Sequence, residues 1–298
     1  MNPLLARLIA GLALLLPLTS LAADFSKQRV ISLGGDVTEI VYALGAGDRL
    51  VARDTTSMFP EIANDLPDVG YLRQLSLEGI LSFKPDLVLL SDAARPAPLA
   101  ERLEAAGIRV ARIPYQQNLA GVDLKVKAVA KALNLEKEAQ PLLADLAKQR
   151  EQLTQLIPFK QLKGVFILSH AGMGAPMVAG QGSSADSLMQ LAGLNNAIKG
   201  INGYRPISTE GIIAAQPSTL ILTQAGLAAL GGKDKVWQLP GLQQTPAAKN
   251  KHLVVVDDLA FLGFGPRTAE SVLALHAALV ELHSVPKRAK TAARQLTP

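Results

Sequence analysis

The chain has 298 residues, nearly half of them apolar, with 30 Lys and Arg against 25 Asp and Glu and no cysteine. The lack of cysteine excludes disulfides, thiolate catalysis and cysteine-built metal sites, so a packed core must supply the stability, and the length suffices for one large core or two lobes. The small positive excess is scattered, and Lys287, Arg288, Lys290 and Arg294 read as a solvated basic tail rather than a nucleic-acid surface.

Residues 1–23 read as a secretory signal peptide. Arg7 supplies the charged start, Leu8 to Leu18 the apolar run, and Ser20-Leu21-Ala22-Ala23 small-residue cleavage sites after Ala22 or Ala23. The apolar run is shorter than the roughly 20 residues that span a bilayer. No cysteine follows to carry a lipid anchor, so the expectation is a diffusible, monomeric protein of the bacterial periplasm.

Val30-Ile31-Ser32-Leu33 reads as a short buried strand. Asp36 is the expected cap of the next helix, with Glu39 three residues on and Val37, Ile40, Val41 and Leu44 in one stripe. Leu50-Val51-Ala52 resumes a strand after Gly45 and Gly47. Ser76 is placed to cap a helix that ends before Pro85, and Asp86–Leu90 continues as a buried strand. Ala100–Ala106 and Ile108–Ile113 add a helix and a strand. Leu142, Leu146, Leu153 and Ile157 recur at helical spacing from Glu136 to Ile157, with Pro141 tolerated near the start, which predicts one linker helix. Val165–Leu168 and Met177–Ala179 read as strands, Ser184–Leu191 as a helix with Leu188 and Leu191 inward, and Thr268–Leu282 as the final amphipathic helix.

This alternation of strands and helices implies parallel sheets covered on both faces. One pattern also occurs twice. Gly70-Tyr71-Leu72-Arg73 leads into Ser76-Leu77-Glu78-Gly79-Ile80, and Gly203-Tyr204-Arg205-Pro206 leads into Ser208-Thr209-Glu210-Gly211-Ile212. Each copy runs on into a proline and an apolar strand, Pro85-Asp86-Leu87-Val88 and Pro217-Ser218-Thr219-Leu220. The predicted fold is therefore α/β, with two Rossmann-like lobes and central parallel sheets joined by a single long linker helix. The division is 24–124 for the N-terminal lobe, 125–158 for the linker region and 159–298 for the C-terminal lobe with its final helix and tail. A ligand is expected between the lobes.

The leader, Gly35-Asp36-Val37-Thr38-Glu39-Ile40, Leu44-Gly45-Ala46-Gly47-Asp48-Arg49, Lys84-Pro85-Asp86-Leu87-Val88 and the paired Ser-x-Glu helix starts together resemble the class III periplasmic binding proteins, across nearly the whole mature chain. These serve ABC importers of haem, ferric siderophores and cobalamin. Gly70-Tyr71-Leu72-Arg73 and Ser169-His170-Ala171-Gly172-Met173 are most similar to the haem-binding branch. The resemblance implies ferric haem as transported cargo, an ABC permease as partner, and Glu78 and Glu210 as docking carboxylates, one per lobe.

The side-chain chemistry agrees with that branch. A tyrosine phenolate is a hard anionic ligand for ferric iron and an attested haem ligand, which makes Tyr71 the expected axial ligand. Its phenol needs help to ionise at neutral pH; iron supplies most of it, and Arg73, on the same face of an extended segment, adds to it. Tyr204 and Arg205 are expected on the opposite wall, stacking on the porphyrin or meeting a propionate. His170, just past a strand end, is a candidate second ligand or haem contact, and a hydrogen-bonded strand-end histidine is the alternative. Met173 is a soft donor better suited to ferrous iron or to packing.

An enzyme is not supported, since no nucleophile elbow, Ser-x-x-Lys or His-Glu-x-x-His is present. Gly180-Gln181-Gly182-Ser183-Ser184 could seat an anion but lacks a phosphate-loop lysine. His170, His252, His276 and His283 are dispersed, which argues against a zinc or manganese binder. A ferric siderophore or cobalamin is the alternative cargo. With one Trp, four Tyr and seven Phe, however, the chain is poor in the aromatics that siderophore sites use.

Overall fold

The structure, a computed structural model, describes residues 28–168 and 176–284. The expected leader, His170, Met173 and the basic tail lie outside these residues. No helix among the described residues is long and apolar enough to cross a membrane.

The first lobe runs β1 (Val30–Leu33), α1 (Gly35–Ala43), β2 (Leu50–Arg53), α2 (Leu77–Leu81), β3 (Leu87–Ser91), α3 (Leu99–Ala105) and β4 (Arg109–Ile113). Its four strands are all parallel, in the order β2-β1-β3-β4. Gly34, not Asp36, occupies the cap position of α1, and Asp36 sits inside the first turn. The Asp36 carboxylate is spent elsewhere, on an ion pair with Lys125.

The linker helix expected over Glu136–Ile157 is present as Ala139–Thr154, and a second helix, Leu119–Leu133, precedes it. In α4 (Leu119–Leu133) the Asn118 side chain caps the start by accepting from the Gly121 N–H, and Asn134 closes the end with φ 58°. This helix packs on α1 and β4 and so belongs to the first lobe; α5 (Ala139–Thr154) packs on α4 and on the last helix of the chain. Position 125 therefore falls inside α4. Ile157 does not join the buried stripe of Leu146 and Leu153 and is 79 % exposed. Pro158 disfavours helical backbone at the residue before it, so α5 ends early.

The second lobe contains β5 (Lys163–Leu168), β6 (Met177–Ala179), α6 (Ser184–Leu191), β7 (Asn195–Asn196), β8 (Tyr204–Pro206), α7 (Thr209–Ala215) and β9 (Thr219–Thr223). It continues through α8 (Gln224–Ala229), α9 (Lys233–Val236), α10 (Pro246–Asn250), β10 (Leu253–Val256), α11 (Asp258–Leu262) and α12 (Thr268–His283). The strand order is β10-β9-β5-β6-β8, with β7 beside β5. Here the expected all-parallel sheet is corrected, because β6 runs antiparallel to both β5 and β8. A three-residue apolar strand carries no sign of its own direction.

Alternation along the strands distributes the core. In β3, Val88 and Leu90 face an apolar layer confined to the first lobe with Ile80, Leu99 and Leu103, while Leu87 and Leu89 face the other side. Val165, Ile167, Leu220 and Leu222 build the corresponding outer layer of the second lobe. The remaining layer is shared. It runs from Leu87 and Leu89 through α1, α4, α5 and α12 to Phe166 and Ile221 without interruption. Each such side chain contributes about 1.5–3 kcal/mol on burial, so parting the lobes along this layer is costly.

The sequence gives no hint that His252 and His283 meet, but their rings pack edge-on with centroids 4.3 Å apart. His283 Nε2 also bonds the Thr219 hydroxyl at 2.8 Å. Burial, and then the neighbouring His252, depress the His283 pKa. A histidine depressed in the folded state takes up its proton first in the unfolded chain, so its contribution is present above the ordinary histidine range and is lost as pH falls through it. Thermal stability should therefore decline from pH 7.5 to 5.5, and His283→Gln should flatten that decline in melting curves recorded across the range.

Candidate functional site

The lobes meet at the carboxyl ends of their strands, where open α/β sheets place ligands. Asp36 and Glu39 follow β1, and the chain from Gly263 to Arg267 follows β10 and α11; these segments touch across the lobe boundary. Arg267 donates to Glu39 at 3.1 Å through both its backbone N–H and its guanidinium, and to Asp257 at 3.4 Å. Burial raises the Glu39 pKa, and Arg267 opposes the rise by hydrogen bonds and charge. Gly35 is required at this boundary, because a Cβ there would stand 2.4 Å from the Thr56 carbonyl and 2.8 Å from Leu259 of the other lobe.

Tyr71 sits on the long loop after β2, and two carboxylates, the buried Asp54 and the exposed Asp68, hold that loop in place. Asp54 accepts from the Gly34 and Thr56 N–H groups and from the Thr56 and Ser57 hydroxyls. Asp68 accepts from Arg53, Thr55 and the Gly70 N–H. Gly70, at φ 105°, adopts backbone that a side chain would strain, and its carbonyl accepts from the Thr55 N–H at 3.0 Å. The Tyr71 side chain emerges from this scaffold 46 % exposed.

The segment expected to be extended is a turn, closed by the Gln74 N–H donating to the Tyr71 carbonyl at 2.7 Å. Strand alternation therefore does not set the relation of Arg73 to Tyr71. The Arg73 charge acts instead on Tyr115, which follows β4 and is 37 % exposed. Burial pushes the Tyr115 hydroxyl up, Arg73 counters it, and Asp36 and Tyr204 add to the rise, so neighbours from both lobes surround this ring. Gln117 donates to its hydroxyl at 2.9 Å.

On the opposite wall Tyr204 opens β8. Its hydroxyl bonds Ser184 at 2.7 Å and accepts from the Ala185 N–H at 3.2 Å, and its ring meets Phe166 edge-on at 6.5 Å. Burial raises its pKa, against those hydrogen bonds. The hydroxyl is thus engaged at the start of α6, while Arg205 beside it is exposed. The Gly-Ser turn read as an anion seat is closed by its own contacts: Ser183 caps α6 and the Gly182 N–H donates to Asp186.

Ser76 and Ser208 cap α2 and α7 as expected, accepting from the Gly79 and Gly211 N–H groups. Glu78 and Glu210 are exposed in the first turns of these helices. A hydrogen bond from its own backbone, then one from Ser208, holds the Glu210 carboxyl below the usual range. His276 bonds the Ala192 carbonyl and packs on Phe159, well apart in role from His283. Among the described residues no group of three or more His, Cys, Asp or Glu side chains could hold a metal ion.

The loop also presents apolar side chains that sequence reasoning missed. Met58, Phe59 and Ile62 are exposed, and Arg267 of the other lobe lies 3.5 Å from the Phe59 ring centroid. With Tyr71 and Tyr115 they are exposed apolar and aromatic side chains of the first lobe, and Phe59 brings this set to the lobe boundary at Arg267. That combination suits a flat, largely apolar ligand carrying negative charge.

The chain is similar to several known proteins over most of its length. A vitamin B12-binding protein of Vibrio vulnificus strain YJ016 is 29 % identical over 254 residues, covering 82 % of this chain and 86 % of its own. The apo periplasmic heme-binding protein RhuT of Roseiflexus sp. RS-1 superposes with a TM-score of 0.79 at 34 % identity, over 86 % of this chain and 99 % of its own. The periplasmic heme-binding protein BhuT in complex with two hemes also reaches 0.79, at 36 % identity over 86 % and 98 %. The family described as periplasmic binding protein matches residues 30–260, and the chain belongs to that family.

Proposed function

We propose that this protein is a periplasmic receptor that captures ferric haem between its lobes and delivers it to an ABC permease for import. It acts by binding and carries out no chemistry on its cargo. The observation that carries the reading is Tyr71, a half-exposed phenol on the pinned loop whose Phe59 meets Arg267 of the second lobe, in a chain 34–36 % identical to solved proteins described as heme-binding.

In this reading the Tyr71 oxygen is the axial ligand of the iron. Arg73, which follows Tyr71 by two residues and whose charge also reaches Tyr115, would support the phenolate, and Arg205 would meet the propionates. Tyr204, whose hydroxyl is already engaged, serves as part of the wall against the macrocycle. His170, two residues beyond β5, is the candidate second ligand or haem contact. Glu78 and Glu210 dock the loaded receptor on the permease, and the transporter's ATP-driven rearrangement parts the lobes to release the haem.

Cobalamin is the second reading, favoured by the identity to B12-binding relatives; over more than four fifths of the chain that identity, 29 %, is lower than the 34–36 % to the heme-binding structures. Titration separates the cargoes. Hemin added to the apo protein is expected to saturate at micromolar or lower concentration with a high-spin ferric visible spectrum, while cyanocobalamin and a ferric siderophore leave intrinsic fluorescence unchanged. Binding of either of those without hemin binding would overturn the assignment.

A further inference from the structure

Lys125 is the one lysine in the buried core of the described residues, at 0 % exposure in α4, and nothing in the haem reading uses it. Its ammonium is held by the Asp36 carboxylate of its own lobe. Its remaining protons go to the other lobe, to the Phe264 carbonyl at 3.1 Å and the Gly263 carbonyl at 3.3 Å. An ammonium has three donors, and this arrangement uses all three.

The receiving backbone is unusual. Phe264 is fully buried, with φ 50°, a conformation costly for a non-glycine residue that persists only where its surroundings enforce it. The Phe264 ring packs in the layer shared by both lobes, and its carbonyl faces Lys125. On the cleft side, the Tyr115 ring covers the ammonium, with Nζ 5.3 Å from the ring centroid. The half-exposed Tyr115 ring thus rests directly on the buried cation.

We propose that Lys125 is the positioning residue of the cleft: by donating across the lobe boundary to Gly263 and Phe264 while supporting Tyr115, it fixes the interlobe spacing at which a planar ligand is gripped. A buried ion pair is seldom a net gain in stability over apolar packing, and specifying one arrangement is its better-attested use. Arg267–Glu39 is a second, more exposed tie across the same boundary, and it reports on the first.

The test uses the apo protein and two variants. Lys125→Met leaves Asp36 unpaired in the interior, so Asp36→Asn combined with Lys125→Met removes both charges and guards against simple misfolding. The readout is amide hydrogen exchange at Arg267, whose N–H bonds Glu39 across the boundary and is freed only when the lobes part. Exchange at Arg267 is expected to rise about tenfold or more in both variants, with the β9 amides of Ile221 and Leu222 unchanged. Wild-type exchange at Arg267, or a rise only in step with β9, would overturn the proposal, since the second pattern is plain loss of stability.

For the cargo, the inference rests on the haem reading. Hemin dissociation from the double variant is expected to be about tenfold faster, with the wild-type ferric spectrum retained. Unchanged dissociation from a variant whose lobes have opened would break the link to ligand grip. A wild type that ignores hemin would remove the haem reading and leave the exchange result to decide the role of Lys125.

Discussion

Tyr71→Phe will lose the ferric charge-transfer band of the hemin complex and about a hundredfold in hemin affinity, roughly 2.8 kcal/mol. The substitution removes one oxygen and keeps the ring. Since Tyr71 is half exposed on a loop fixed by Asp54 and Asp68, the fold has no reason to respond. Melting temperature should therefore stay at the wild-type value while the spectrum changes. The residual affinity is what the apolar wall and the arginines supply without coordination, and Arg73→Ala should erode the same quantity less. A Tyr71→Phe spectrum identical to that of wild type would place the iron ligand elsewhere and remove the argument built on this phenol.

Reversal of both proposed docking carboxylates, Glu78→Lys with Glu210→Lys, will abolish haem import while hemin affinity in solution stays within about twofold of wild type. Both side chains are exposed in first turns of equivalent helices, one on each lobe, and neither takes part in the Tyr71, Arg73 and Tyr115 surroundings. Rim charges act mainly on orientation and encounter rate, so each single reversal should slow import and the double should stop it. Growth on hemin as sole iron source, set beside hemin titration of the purified variant, measures the two quantities separately. Sustained growth of the double variant would remove these glutamates from the docking surface.

Much of the fold is legible because its signals are local. The duplicated Ser-x-Glu starts appear as two serine-capped helices, and the apolar runs at Val30, Leu87, Val165 and Thr219 become central strands. What stayed hidden depended on contacts distant in sequence. The direction of β6 is set by pairing with β5 and β8, which three apolar residues cannot encode. The turn at Tyr71–Gln74 defeats an alternation argument stretched over too few residues. Tyr115 is a lone aromatic behind a proline, and Met58, Phe59 and Ile62 lie in a segment without periodicity. Lys125 did leave a trace: it occupies a core position of the stripe formed by Val122, Val126 and Val129, where a charge signals a buried partner.

The apolar layer common to both lobes has a consequence for traffic at the membrane. In the proposed docking mode, a receptor whose halves share one hydrophobic sheath would present Glu78 and Glu210 at nearly the same separation with or without cargo. A permease docked in that way would have no jaw angle by which to tell the two apart. Vacant copies would then compete for the same berth as laden ones, and uptake should be greatest when the number of receptors is matched to the supply of cargo, not when it is simply raised.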